Sequence, residues 1–175
     1  YIGIVGKYGV QVQNLFKKIA GLDVQIICPL HGPVLSKDLG YYLNLYNIWS
    51  TYGVESEGVV IAYTSIYGHT EGVKVILTDL ARSDWAENVE DAFRYGKLVL
   101  ASTTYNGDVF PAMKQFILHL TERNFQNRTV AFIENGSWAP WATKAMKGLL
   151  EGCKNLVFAQ NEVKILSAMN EENKV

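Results

Sequence analysis

The sequence predicts an α/β fold built on a doubly wound parallel sheet, and three observations carry that expectation. Short apolar runs recur at Val59-Val60-Ile61-Ala62, Leu98-Val99-Leu100-Ala101 and Thr129-Val130-Ala131-Phe132-Ile133, as strands buried on both faces require. The stretches between the later runs have helical spacing, and a strand, loop, helix alternation is the pattern of an open sheet covered by helices. Each run also breaks off into a loop of hydroxyls, amides, glycines or aromatics, the place where open α/β sheets bind ligands.

The elements follow in order. Apolar positions at Val12, Leu15, Phe16 and Ile19 predict a helix over Val10 to Ala20, stopped by Gly21. Val24 to Cys28 reads as a short buried strand ending at Pro29, followed by the tight loop Leu30-His31-Gly32-Pro33. Tyr42, Leu45, Tyr46 and Trp49 share one face of a further helix, and Gly53-Val54-Glu55-Ser56-Glu57-Gly58 breaks the pattern. A domain boundary is placed there, giving segments 1–53 and 54–175.

Beyond it, Lys74 to Leu80 is a second strand, with only Glu71, Gly72 and Val73 separating it from the loop that ends at Thr70. Three residues cannot make a crossover between parallel neighbours, which takes roughly a dozen or more. Ser83-Asp84 caps a helix carrying Trp85, Val89 and Phe93. Thr103-Thr104-Tyr105-Asn106-Gly107-Asp108 is read as a loop, and Pro111 starts a helix that buries Met113, Phe116, Ile117 and Leu120. A last helix runs through Ala145, Leu149 and Leu150. Leu156 to Ala159 and Val163 to Leu166 supply a final strand or its approach.

Composition narrows the function classes. With 16 basic and 17 acidic residues among 175, the chain has no charge excess to attract nucleic acid or an anionic membrane. Cys28 and Cys153 are too few and too far apart for a disulfide framework, and both are expected as buried, unreactive thiols in a reducing, cytoplasmic setting. No apolar run is long enough to span a bilayer and no signal peptide is visible. The chain begins at Tyr1 without Met, which suggests a fragment or a processed product.

The candidate site residues lie in the loops. Thr64, Ser65, Tyr67 and Thr70 place hydroxyls after the first strand, and Gly68 permits close backbone approach, so Thr64-Ser65-Ile66-Tyr67-Gly68-His69-Thr70 suits an anion such as phosphate. The plainer alternative is a polar loop that binds nothing. The second and third loops, with aromatics, amides and glycines, suit a flat heteroaromatic ring. His31, held between Pro29 and Pro33, is either a metal ligand or a hydrogen-bonded structural histidine, since no H-x-H, H-x-x-E or C-x-x-C partner lies nearby.

Taken together, these segments resemble the flavodiiron proteins, or A-type flavoproteins. Thr64-Ser65-Ile66-Tyr67-Gly68-His69-Thr70-Glu71 looks like the family's phosphate loop, Ser102-Thr103-Thr104-Tyr105-Asn106-Gly107 like its second flavin loop, and Glu134-Asn135-Gly136-Ser137-Trp138-Ala139-Pro140 like its third. Ile27-Cys28-Pro29-Leu30-His31-Gly32-Pro33 resembles the last ligand segment of the family's metallo-β-lactamase-like diiron domain. The resemblance covers nearly the whole chain.

It implies a flavodoxin-like domain over 54–175, preceded by the C-terminal remnant of a metallo-β-lactamase-like domain over 1–53. It implies FMN held by Thr64, Ser65, Ile66, Tyr67, Gly68, His69 and Thr70 at the phosphate. Thr103, Thr104, Tyr105, Asn106, Gly107, Asn135, Gly136, Ser137 and Trp138 would surround the remainder of the cofactor. His31 would be the last iron ligand of a diiron centre whose other ligands this chain lacks. In the family, FMN passes electrons to that centre, which reduces dioxygen or nitric oxide.

Implied partners are a redox donor such as rubredoxin or a flavoprotein reductase, and a second copy in a head-to-tail dimer. The chain departs from the family in lacking a crossover helix after Glu71, whose amides would face the phosphate, so that phosphate binding and the pairing of the first strand are expected to be altered. It also has His69 where many relatives carry Asn. Alternatives are a stand-alone flavodoxin-like carrier, a fragment without cofactor, or a hydrolytic metallo-β-lactamase-like domain; no H-x-H-x-D-H cluster supports the last.

If Trp138 stacks on the flavin, Trp138→Ala weakens FMN binding by on the order of 1 kcal/mol or more. A dissociation constant unchanged in fluorescence titration would put that side chain elsewhere.

Overall fold

A computed structural model of the chain describes residues 5–64, 74–137 and 139–166. It divides into two compact units, Tyr1–Glu55 and Ser56–Val175.

The first unit is built on two helices, α1 (Gly9–Ile19) and α2 (Leu39–Ser50). Gln13 ties them by donating to Asn47 Oδ1 at 2.9 Å and Ser50 Oγ at 2.8 Å. The expected strand over Val24 to Cys28 does not form. Its place is taken by one isolated antiparallel bridge, Ile27 with Leu35, and both Ile26 and Cys28 are exposed. The physical reason is local, because Pro29 and Pro33 offer no N–H and interrupt any ladder either side of the turn. The Cys28 thiol is therefore at the surface rather than buried, while Cys153 is half-buried and burial pushes its thiol pKa up.

The second unit is an open α/β sheet. Its strands are β1 (Ser56–Tyr63), β2 (Val75–Asp79), β3 (Tyr95–Tyr105), β4 (Asp108–Val109), β5 (Thr129–Asn135), β6 (Val157–Phe158) and β7 (Val163–Ile165). The helices are α3 (Trp85–Arg94), α4 (Pro111–Thr121) and α5 (Ala142–Leu150). The parallel order is β2-β1-β3-β5, and the far edge of β5 is shared by β6 at one end and β7 at the other. This is the flavodoxin-like doubly wound order, with its switch point between β1 and β3.

β1 and β2 do pair in parallel, Val59 with Val75 through Tyr63 with Asp79, which corrects the expectation of an altered first pairing. The relevant connection runs from Tyr63 to Val75, not from the end of the loop. It has only to retrace the Val59–Tyr63 stretch of β1, and extended residues cover about 3.3–3.6 Å each, so a full helix is not a geometric necessity. Residues 65–73 of that connection lie outside the described residues.

Alternation along the three central strands sorts their side chains. Val60 and Ala62 of β1, Leu98 and Leu100 of β3, and Val130 and Phe132 of β5 are all at most 1% exposed. Their neighbours Ile61, Val99, Ala101, Ala131 and Ile133 point to the other face and are only half-buried. Right-handed crossovers from β2 to β3, β3 to β5 and β5 onward put α3, α4 and α5 over the first face. α4 packs between α3 and α5, burying the predicted stripe of Met113, Phe116, Ile117 and Leu120.

Local chemistry fixes the helix ends. Asp84 Oδ1 accepts from Ala86 N at 2.7 Å and Glu87 N at 3.2 Å, starting α3 as a side-chain cap does. Past α4, the buried Arg128 donates to the carbonyls of Phe93, Gln126 and Asn127, tying the end of α3 to the entry of β5. Burial lowers its pKa to about 10, which leaves it charged at neutral pH.

Asp84→Ala is expected to lower stability by about 1 kcal/mol through loss of the cap, and Phe116→Ala by about 3–5 kcal/mol through the cavity it leaves in the core. Urea denaturation midpoints measure both. A cap effect as large as the core effect would contradict this ranking.

Candidate functional site

The parallel register brings the carboxyl ends of the central strands side by side. Tyr63 of β1 lies beside Ala101 of β3, and Thr103 of β3 beside Asn135 of β5. Thr64 continues this edge, its N–H donating to Ala101 O at 3.2 Å and its hydroxyl lying 3.0 Å from Ser102 Oγ. Ser102 is buried, so the pair joins β1 to β3 at the switch point itself.

The second expected loop proves to be largely strand. β3 runs to Tyr105 and folds back into β4, pairing Thr104 with Val109 and Tyr105 with Asp108. Asn106 (φ 50°) and Gly107 (φ 73°) are the two left-handed residues of the turn between them. Asn-Gly suits such a turn because its backbone twist matches that of the two strands. Phe110 N then donates to Thr103 O, which starts α4 directly after the hairpin.

At the tip, Tyr105 is 55% exposed and meets Phe110 edge-on at 5.7 Å between centroids. Lys114 Nζ holds Asp108 Oδ2 at 2.7 Å; that hydrogen bond is the main reason the carboxyl sits below its usual range, with the Val109 amide adding to it.

The third loop is a tight return. Gly136 is buried and donates from N to Ile165 O at 3.1 Å, joining the loop to β7. A Cβ on Gly136 would stand 2.9 Å from Pro140 Cα, a backbone atom that cannot swing aside. Trp141, 45% exposed, precedes α5, and Lys144 Nζ lies 4.0 Å above its ring.

Two side chains from the strands close the start of α5. Thr104 Oγ1 accepts from Trp141 N at 2.7 Å and from Ala142 N at 3.1 Å. Glu134, 2% exposed, accepts from Thr143 N through Oε2 at 2.9 Å, and its Oε1 faces Lys164 Nζ at 3.2 Å. These contacts satisfy amides that a helix leaves unpaired at its start. The Thr143 hydroxyl has no partner among the described residues.

Of the expected site residues, Thr64, Thr103, Thr104, Tyr105, Asn106, Gly107, Asn135, Gly136 and Ser137 therefore lie along one edge of the sheet. Ser65, Ile66, Tyr67, Gly68, His69, Thr70 and Trp138 lie outside the described residues. His31 is exposed in the first unit, and no group of three or more His, Cys, Asp or Glu able to hold a metal occurs among the described residues. Ser102 and Glu134, in the resembling segments but not among the expected contacts, emerge as the residues that tie the edge together. The signal for Glu134 was a carboxylate in phase with the buried Val130 and Phe132.

The superposition on rubredoxin:oxygen oxidoreductase from the anaerobe Desulfovibrio gigas covers 99% of this chain and 47% of that one, with a TM-score of 0.84 at 19% identity. The chain has the fold of the flavodiiron proteins. A mutant Flavo Di-iron protein from Thermotoga maritima aligns over 98% of this chain and 46% of its own length, with a TM-score of 0.79 at 21% identity. An archaeal flavodoxin aligns over 67% of this chain and 88% of its own length, with a TM-score of 0.54 at 14% identity.

In sequence, a nitric oxide reductase from Moorella thermoacetica is 24% identical over 152 residues, 79% of this chain and 38% of that protein. An uncharacterised protein from Methanocaldococcus jannaschii is 22% identical over 172 residues, 90% of this chain and 42% of its own length. The chain thus spans less than half the length of these two relatives and of the two flavodiiron structures. No family model matches the sequence.

Thr104→Val, which removes the acceptor for Trp141 N and Ala142 N, is expected to destabilise the second unit by about 1–2 kcal/mol. Thr104→Ser, which keeps the oxygen, is expected to cost much less. Equal thermal midpoints for the two variants would show that the hydroxyl does not bear this load.

Proposed function

We propose that the chain is the FMN-binding, electron-transfer part of a flavodiiron-type oxygen or nitric oxide reductase. The observation that carries this reading is the convergence of the β1, β3 and β5 carboxyl ends at the switch point, with Thr64 joined to Ser102 and Thr103 beside Asn135. The fold shared with the flavodiiron structures supports it, as does the nitric oxide reductase among the relatives.

The described residues fit the ring half of the cofactor. Tyr105 and Trp141 present exposed aromatic surface, and the Asn106-Gly107 turn and Ser137 are open at the same edge. Thr104 is assigned a supporting role, because its oxygen already accepts two amides and has only its O–H left to offer. The phosphate is assigned to Thr64 and the segment Ser65-Ile66-Tyr67-Gly68-His69-Thr70, and Trp138 to the ring. FMN would supply the electron transfer; the residues of the chain orient the ring, keep one face from water and leave an edge open to a donor.

Segment 1–53 is assigned to the end of a metallo-β-lactamase-like domain, with His31 as an iron ligand. Among the described residues no ligand set for iron is assembled around it. A donor such as rubredoxin or a flavoprotein reductase, a head-to-tail dimer and a cytoplasmic location belong to the same proposal. No helix among the described residues is long and apolar enough to cross a membrane.

A second reading, a stand-alone flavodoxin-like carrier, is favoured by the likeness to the archaeal flavodoxin. Titration of FMN into the purified chain is expected to quench flavin fluorescence with one site per chain. Absence of binding would sink both readings. Oxygen or nitric oxide consumption with a reducing partner, measured on the full-length protein, separates reductase from carrier.

A further inference from the structure

Glu134 is a buried ionisable group with no part in the chemistry described above, and it is built into the third loop at both ends. Its backbone lies in β5, one residue before the strand ends at Asn135 and the loop leaves. Nine residues later its own carboxylate takes the amide of Thr143, inside the first turn of α5. The other carboxylate oxygen faces Lys164, its register neighbour on β7. On β3 its register neighbour is Ser102, the residue joined to Thr64 of β1.

One side chain therefore closes the loop that carries Asn135, Gly136, Ser137 and Trp138 and anchors its base in the sheet. The entropy of holding such a loop closed is met by this bond in the free protein, before any ligand arrives. Glu134 also places its charge at the positive end of α5, where a carboxylate is favourable. That helix start is thus occupied from within, by Glu134 and Thr104 together, and is not open to a phosphate.

We propose that Glu134 is a positioning residue that preforms the third loop for the flavin ring. The proposal rests on the FMN reading, but its structural half can be tested without the cofactor. In the full chain, Glu134→Ala is expected to raise the FMN dissociation constant about tenfold or more and to speed hydrogen exchange at the Thr143 amide in cofactor-free protein. Glu134→Gln keeps an oxygen for Thr143 N and is expected to recover most of the affinity and the protection. Glu134→Asp keeps the charge near Lys164 but is a methylene too short to reach Thr143, and is expected to behave like alanine. It serves as the loss-of-contact variant if the alanine protein fails to fold.

Gln behaving as badly as Ala would mean that charge, not the bond, is what counts, and would overturn the proposal. So would an Asp or Ala variant with unchanged affinity and unchanged Thr143 exchange. If the parent chain binds no FMN, the functional reading fails on its own. The proposal then stands or falls on whether Thr143 is protected in the parent and Gln proteins and exposed in Ala and Asp.

Discussion

The parallel pairing of β1, β3 and β5 is the constraint on which everything at the site depends. Parallel strands all end at the same side of the sheet, so residues far apart in sequence are delivered to one edge without any contact between their loops being specified in advance. Thr64 and Ser102 meet because Tyr63 and Ala101 are register partners. Slipping that register by one residue would invert every side chain and bring Ala101 where Ser102 now stands. The apolar residues that fix the register, Val60, Ala62, Leu98, Leu100, Val130 and Phe132, thereby fix the chemistry at its end.

A second constraint acts at the foot of α5. A helix that begins at a ligand-binding edge has unpaired amides that any anion can take. Here Thr104 and Glu134 take three of them, at Trp141, Ala142 and Thr143. The β3–β4 hairpin and the β5–α5 return are consequently held to the same helix turn, so both loops are structurally coupled to the strands below them.

Much of this was legible in the sequence where the signal is local. The spacing of Met113, Phe116, Ile117 and Leu120 identifies the buried face of α4, and Ser83-Asp84 identifies the start of α3, because both features lie within a turn or two of helix. Legibility failed where the outcome depends on partners. The apolar run Val24 to Cys28 has strand composition, but finds only Leu35 to pair with. Asn106-Gly107 was a hairpin signal hidden within a loop reading, since the two-residue β4 is too short to show a pattern of its own. The link between Thr64 and Ser102, and the reach of Glu134 to Thr143, follow from register and from the path of a return loop, neither of which is written in adjacent residues.

The two faces of the sheet differ in how far they leave water. Ile61, Val99, Ala101, Ala131 and Ile133 remain half-buried, while the residues between them are fully enclosed. The heat-capacity change of unfolding tracks the apolar surface newly hydrated, at about 12–15 cal/mol/K per residue for ordinary domains. A sheet that stays partly hydrated on one side has somewhat less surface left to expose. Its stability curve is accordingly flatter, with a smaller denaturant slope and a shallower optimum in temperature than a sheet of the same strands covered on both sides.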